Sequence, residues 1–143
     1  MTWLLAITTM SAFAQQATVT GPDSFLKVNV SVKQGISVYS VTYKDKTILE
    51  DSPLGFIANV GDFSRDMTFT GQKENKIDKT YTQDRIKQSQ IHYQANELTC
   101  TFTNKEKKNI NIIFRVSNND IAFRYEMPKY GDTGSIVIEK ETT

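Results

Sequence analysis

Apolar and polar residues alternate along most of this 143-residue chain. The clearest case is the stretch 109–127, in which two alternating runs flank the polar residues 117–120. Because successive side chains of a β-strand point to opposite faces, each run presents one apolar face. The residues Ser-Asn-Asn-Asp between the runs favour a turn, since Asn and Asp tolerate left-handed backbone and bond to their own main chain. The pattern therefore predicts a β-hairpin over 109–127.

The same alternation recurs elsewhere and predicts an all-β protein. Further strand candidates lie at residues 25–32, 36–43, 47–50, 54–60, 67–73, 86–94, 96–104 and 135–140. Segments 15–24 and 75–82 are polar, and Pro53 is expected to end a strand because it has no backbone N–H. No stretch carries apolar residues at helical spacing over three turns. Short strands separated by turn residues indicate an antiparallel β-sandwich.

Charge excludes two classes of partner. The chain has 17 Lys and Arg against 16 Asp and Glu, a formal net charge of +1. Neither a nucleic acid nor an anionic membrane is favoured by so balanced a surface, so we expect no nucleic-acid partner. The length suits one domain with its own core.

The first fourteen residues predict export. An apolar run at 3–7 is followed by Ala12-Phe13-Ala14, the small-residue pattern that signal peptidase cleaves. The run is too short to span a bilayer, so we predict no membrane span. No basic residue precedes it, which suggests that translation starts further upstream. We interpret 1–14 as a signal peptide and 15–143 as the mature, periplasmic or secreted chain; the alternative is a disordered or buried N-terminal strand.

Candidate chemical groups are few and isolated. Cys100 is the only cysteine, so no internal disulfide forms, and its alternating context predicts a buried, inert thiol. His92 has no second His or Cys nearby in sequence and is expected to be a solvent-facing strand residue. No catalytic motif is present, and we predict that each carboxylate alone is a solvated charge. The carboxylates considered are Glu97, Asp120, Glu126, Glu139 and Glu141.

The six tyrosines leave two interpretations open. Tyr rings stack on sugar faces and donate a hydroxyl, but they also suit half-buried positions in an ordinary sheet. They are Tyr39, Tyr43, Tyr81, Tyr93, Tyr125 and Tyr130.

Several segments, taken in order, resemble a known domain. They are GPDSFLKV at 21–28, YSVTY at 39–43, LEDSPLG at 49–55, and YQANEL at 93–98, which leads into IIFRV at 112–116 and DIAFRY at 120–125. This set is similar to the N-terminal domain of glycoside hydrolase family 97.

The resemblance implies a fold and a parent enzyme. Members are exported bacterial enzymes that act on α-glucosides or α-galactosides. They combine an N-terminal β-super-sandwich of the galactose-mutarotase-like type with a (β/α)8 barrel that holds the catalytic carboxylates, and with a small C-terminal β domain. We therefore expect residues 15–143 to be an incomplete N-terminal sandwich without catalytic residues. Its partners would be the barrel of the same parent protein and that protein's oligosaccharide substrate.

The resemblance also implies a metal ligand. In calcium-dependent members the N-terminal domain lends one glutamate, from a segment like I-x-x-E-x-T, to an active-site calcium. Residues 138–143 fit this segment, with Glu141 in the place of the glutamate. Many members carry a Trp-Gly pair near 82–89, where this chain reads QDRIK at 83–87. That departure leaves the choice between glucoside and galactoside open.

Two other classes of function compete with this hypothesis. One is a free-standing exported β-sandwich that binds glycans without cleaving them, which the tyrosine content and the absent catalytic set favour. The other is a structural domain whose apolar partner face self-associates when it is uncovered.

Overall fold

The computed structural model describes residues 15–82, 90–132 and 134–142, and all helices and strands within these ranges are β-strands, joined by turns and loops. The predicted signal segment 1–14 and the departure at 83–87 lie outside the described residues. None of the described residues belongs to a helix long and apolar enough to cross a membrane. The strands are β1 (Gln16–Thr20), β2 (Leu26–Lys33), β3 (Ile36–Tyr43), β4 (Lys46–Leu54), β5 (Phe56–Ala58), β6 (Gly61–Asp62), β7 (Thr68–Thr82), β8 (Gln90–Thr103), β9 (Asn109–Val116), β10 (Ile121–Glu126) and β11 (Ile138–Glu141).

The strands form three antiparallel sheets. The first sheet has the order β1-β2-β3-β4, the second β10-β9-β8-β7, and the third β11-β5-β6. All pairings are between antiparallel neighbours. The predicted all-β, antiparallel sandwich is therefore confirmed.

The core lies between the first and second sheets. Alternate residues of β2 and of β8 and β9 are fully buried, as the period-two pattern predicts. Tyr39 of the first sheet reaches across to Phe114 and Phe123 of the second, with ring centroids 5.5 and 5.7 Å apart. The face of the second sheet that carries Phe114 is called the core face below, and the opposite one the outer face.

The hairpin predicted over 109–127 is confirmed, and the strand candidates 25–32 and 36–43 form a second hairpin. β9 and β10 pair from Val116–Ile121 next to the turn to Asn111–Glu126. In the turn the Asp120 amide donates a hydrogen bond to the Ser117 hydroxyl. β2 and β3 pair along their whole length through Gln34 and Gly35, which have φ values of 51° and 76°. Left-handed backbone at both central residues matches the right-handed twist of the flanking strands.

The prediction that Pro53 ends a strand is wrong. β4 continues through Pro53, which pairs with Val38, and ends at Leu54. β4 is the edge strand of the first sheet. Proline is tolerated on an edge strand because the missing N–H can lie on the side without a neighbouring strand, where no ladder hydrogen bond is lost.

Two polar segments predicted outside the strands are in fact strands. Within 15–24, residues Gln16–Thr20 form β1 against β2. Residues 75–82 continue β7. Where the sequence predicts two strands, at 86–94 and 96–104, the described residues form one continuous strand, β8. The ladder between β7 and β8 satisfies their backbone groups whatever the polarity of the side chains. We call the distal part of this hairpin, residues 75–82 and 90–97, the arm.

Candidate functional site

The strand that carries Glu141 is fixed to the rest of the chain at both ends. At one end the Val137 amide donates to the Asn59 side-chain oxygen and the Asn59 amide to the Val137 carbonyl, both at 3.1 Å. At the other end the amide and hydroxyl of Thr142 donate to the Gly55 carbonyl, at 3.0 and 2.8 Å. These bonds hold β11 along β5 although all four of its residues are exposed.

A β-bulge decides which way Glu141 faces. Ile138 pairs with Ala58, Lys140 with Ile57 and Glu141 with Phe56, and the register shifts between Ile138 and Lys140. Ile138 and Glu141 are three residues apart, yet their partners are two apart and lie on one face of β5. Paired residues share a face, so the bulge places Glu141 on the same side as Ile138.

An apolar groove lies beside this strand. Its volume is about 250 Å³, and we call it the β11 groove; it is lined by Phe56, Tyr125, Met127, Ile136 and Ile138. The ring of Phe56 meets that of Tyr125 edge to face, with centroids 5.0 Å apart and an angle of 77°. Val137 and Ile138 expose 55% and 58% of their surface. Such exposed apolar residues beside a groove are typical of an interaction surface.

One glycine allows these elements to converge. Gly55 has a φ of 135°, and a Cβ at this position would lie 2.3 Å from the Phe63 carbonyl oxygen. Its amide donates to the Tyr125 hydroxyl at 2.9 Å, and its carbonyl accepts from Thr142. Gly55 therefore links β10, β11 and the loop after β6. The contact between Gly55 and Tyr125 is not visible in a local sequence pattern, because it joins residues 70 positions apart and depends on the φ of Gly55.

Glu141 could bind calcium only together with ligands from outside this part of the chain. A carboxylate oxygen is the hard ligand that calcium prefers, and the ion takes six to eight such oxygens. Among the described residues no three His, Cys, Asp or Glu side chains group as a metal site. The described part of the chain thus offers too few ligands here to hold calcium alone, and a metal at this position would need further ligands from elsewhere.

The other candidate groups behave as structural residues. His92 is largely exposed, with Nε2 2.6 Å from Oδ1 of Asp78, while the Gln94 amide donates to Oδ2 at 3.1 Å. The hydrogen bond from Gln94, and next the one with His92, lower the pKa of Asp78. The interpretation of His92 as a solvent-facing strand residue is confirmed.

Two carboxylates of the second sheet form ion pairs with arginine side chains. Glu97 accepts from Arg115 at 2.7 Å, and Glu126 lies 3.8 Å from Arg124. Neither pairing resembles two carboxylates placed across a sugar. Asp120 belongs to the turn after β9, and Glu139 lies in the β11 bulge.

Cys100 is buried in the core, as predicted. It has no exposed surface, and burial raises the pKa of its thiol from 9.0 to about 12. The thiolate is the reactive form, so this thiol is inert at neutral pH.

The structure separates the tyrosines into different environments. Tyr39 packs against the core and Tyr125 lines the β11 groove, whereas Tyr130 bonds to the backbone of Asn109. Tyr43 is exposed beside Phe25, and the remaining two, Tyr81 and Tyr93, lie on the arm.

Comparison with known proteins decides the family. The family model described as Glycosyl-hydrolase 97 N-terminal matches residues 19–143. The chain belongs to this family. The family 97 N-terminal domain thus accounts for all but the first eighteen residues, and the resemblance stated above is confirmed.

Relatives of this family 97 domain are much longer proteins. A probable retaining alpha-galactosidase of Streptomyces bingchenggensis (strain BCW-1) is 26% identical over 148 residues, which cover 94% of this chain and 23% of the relative. A retaining alpha-galactosidase of Bacteroides thetaiotaomicron is 28% identical over 85% of this chain and 18% of its own length. The chain therefore spans about a fifth of the curated relatives it matches.

Solved structures show the same relation. The crystal structure of a beta-arabinopyranosidase is 46% identical, with a TM-score of 0.84, and the match covers 90% of this chain and 21% of that one. A glycoside hydrolase family 97 enzyme from Pseudoalteromonas sp. strain K8, in complex with panose, is 29% identical with a TM-score of 0.81 over 88% and 20% of the two chains.

Proposed function

We propose that this chain is the non-catalytic N-terminal domain of an exported glycosidase and that it packs on a (β/α)8 catalytic barrel through the β11 groove. The observation that carries the proposal is the family match over 19–143 together with an open apolar groove next to the glutamate that the family pattern singles out. The barrel would bury Val137 and Ile138, and the bulge would hold Glu141 towards the carbohydrate site. Segment 1–14 would be removed during export to the periplasm or the medium.

Calcium is the metal that we propose for the complete enzyme. Glu141 would supply one oxygen ligand, and the remaining ligands would come from the barrel. When bound, calcium supplies positive charge that polarises an oxygen of the substrate. The contribution of this chain is to position one carboxylate on a strand that Asn59 and Gly55 fix at both ends.

The substrate that we propose is an α-galactoside or a β-L-arabinopyranoside. These two sugars have the same ring stereochemistry and differ in the hydroxymethyl group at C5. Two relatives are described as alpha-galactosidases, and a beta-arabinopyranosidase shares 46% identity. The structure of a family 97 enzyme has been determined in complex with panose, whose glucose units are joined by α-glucosidic bonds. An α-glucoside is therefore the competing substrate.

Hydrolysis assays test this proposal directly. The full-length gene product and the 143-residue chain would each be incubated with p-nitrophenyl α-galactoside, β-L-arabinopyranoside and α-glucoside. We expect turnover by the full-length protein, fastest on one of the first two, and none by the 143-residue chain. Hydrolysis by the short chain, or a gene that encodes no barrel, would contradict the proposal. The second case would favour the free-standing glycan-binding sandwich.

A further inference from the structure

The amphipathic pattern of β8 reverses along the strand. Between Leu98 and Phe102 the even-numbered residues are apolar and buried on the core face. Between Gln90 and Asn96 the apolar residues are instead the odd-numbered ones, Ile91, Tyr93 and Ala95. The pairing of β8 with β7 is regular from Gln90 to Thr101, so side chains alternate along this part of the strand and these residues lie on the outer face of the sheet.

The neighbouring strand has the same reversal. Tyr81 pairs with Ile91, Lys79 with Tyr93 and Ile77 with Ala95. Residues paired across a ladder share a face, so all six lie on the outer side of the arm, where Ala95 is buried with 1% of its surface exposed. We call this surface the arm's outer face. Tyr81 exposes 44% of its surface, and Tyr93 is partly buried among its neighbours.

The opposite face of the arm is polar. It carries the cluster of Asp78, His92 and Gln94. The cleft beside this cluster is lined by polar residues together with Pro22, Ile77 and Ala95. A hairpin that only extended the core would place its apolar side chains on that face instead. The outward apolar pattern thus indicates a contact outside the sandwich.

Charged groups surround the rings of this surface. Partial burial is the largest cause that raises the pKa of Tyr93. The charge of Asp120 raises this pKa further, and the charge of Arg115 lowers it. Arg115 itself is held by Glu97 through its Nε and Nη2 atoms, at 3.2 and 2.7 Å. Lys79 is the direct partner of Tyr93. Tyr93 thus has Lys79 beside it across the ladder and feels the charges of Asp120 and Arg115.

We propose that the arm's outer face is a carbohydrate-contact surface, on which the C–H face of a pyranose packs against Tyr81 and Tyr93 while its hydroxyls bond to Lys79, Asp120 and Arg115. A sugar combines an apolar face with a polar rim, as this surface does. A stable protein partner would need about 800 Å² of each molecule, which two tyrosines and two isoleucines do not supply.

This surface is separate from the β11 groove of the proposed function. Tyr125 of the β11 groove pairs with Ile112 on the core face, and the arm's tyrosines lie on the outer face of the same sheet.

An NMR titration of the ¹⁵N-labelled 143-residue chain with panose and with melibiose tests the proposal. We expect amide shifts at residues 77–81 and 91–95 with at least one of the two sugars. Tyr81→Ala and Tyr93→Ala should each weaken binding by about 3- to 10-fold, whereas Tyr81→Phe should retain most of it because the ring remains. Tyr43→Ala is the matched control, since Tyr43 is similarly exposed, at 41%, on the first sheet.

Several results would overturn the proposal. They are the absence of shifts with both sugars, shifts confined to other surfaces such as the β11 groove, equal weakening by Tyr43→Ala, and shifts of the arm that depend on protein concentration but not on sugar. None of these results bears on hydrolysis by the full-length protein, so failure here is distinguishable from failure of the proposed function.

Discussion

Replacing Gly55 with alanine is expected to lower the free energy of unfolding by about 2–4 kcal/mol. The added Cβ would lie 2.3 Å from the Phe63 carbonyl oxygen, and the φ of 135° disfavours any L side chain. The chain must then separate β5 from the loop after β6, which breaks the hydrogen bonds to Tyr125 and Thr142. Urea unfolding followed by circular dichroism measures the change.

Gly71→Ala is the matched control for this prediction. Gly71 also lies in a strand, but no atom is within 4 Å of the place that its Cβ would occupy. Alanine there should leave stability unchanged or raise it by about 0.5–1 kcal/mol, because glycine costs backbone entropy in a strand. Equal losses at both positions would show that close approach at Gly55 does not hold β11 in place.

Glu141→Gln in the full-length protein is expected to weaken calcium binding by about 10- to 100-fold. The amide keeps the size of the side chain and removes its charge, and carboxylate charge largely sets calcium affinity. Hydrolysis should fall at limiting calcium and recover at high calcium. Isothermal titration calorimetry gives the affinity independently of activity.

Glu139→Gln provides the control because Glu139 is also exposed on β11 but lies in the bulge, between the paired residues Ile138 and Lys140. It should leave calcium affinity unchanged. If both variants bind calcium as the parent does, or if chelation leaves hydrolysis intact, Glu141 is not a calcium ligand.

Local patterns predicted the elements whose residues are neighbours in sequence. The hairpin β9–β10 was visible because its alternation and its turn residues occupy one continuous stretch. The path of β4 through Pro53 was not visible, because tolerance of proline depends on whether a strand lies at an edge. The arm was missed for a related reason, since its apolar residues follow a phase opposite to that of the core strand they continue.

The candidate site was predictable only in part. Glu141 was singled out through resemblance to family 97, not by any property of residues 138–143 taken alone. The bulge that turns it towards Phe56, and the link from Gly55 to Tyr125, arise from contacts between distant segments. Periodicity carries no information on such contacts.

The most direct test of the central claim is hydroxyl-radical footprinting of the β11 region in the 143-residue chain and in the full-length protein. Trypsin releases residues 130–140 as one peptide that contains Ile136, Val137 and Ile138. If the β11 groove is the face that packs on the barrel, this peptide is labelled strongly in the short chain and only weakly in the full-length protein. Equal labelling in both would show that the groove remains in solvent and that the domain packs through another face.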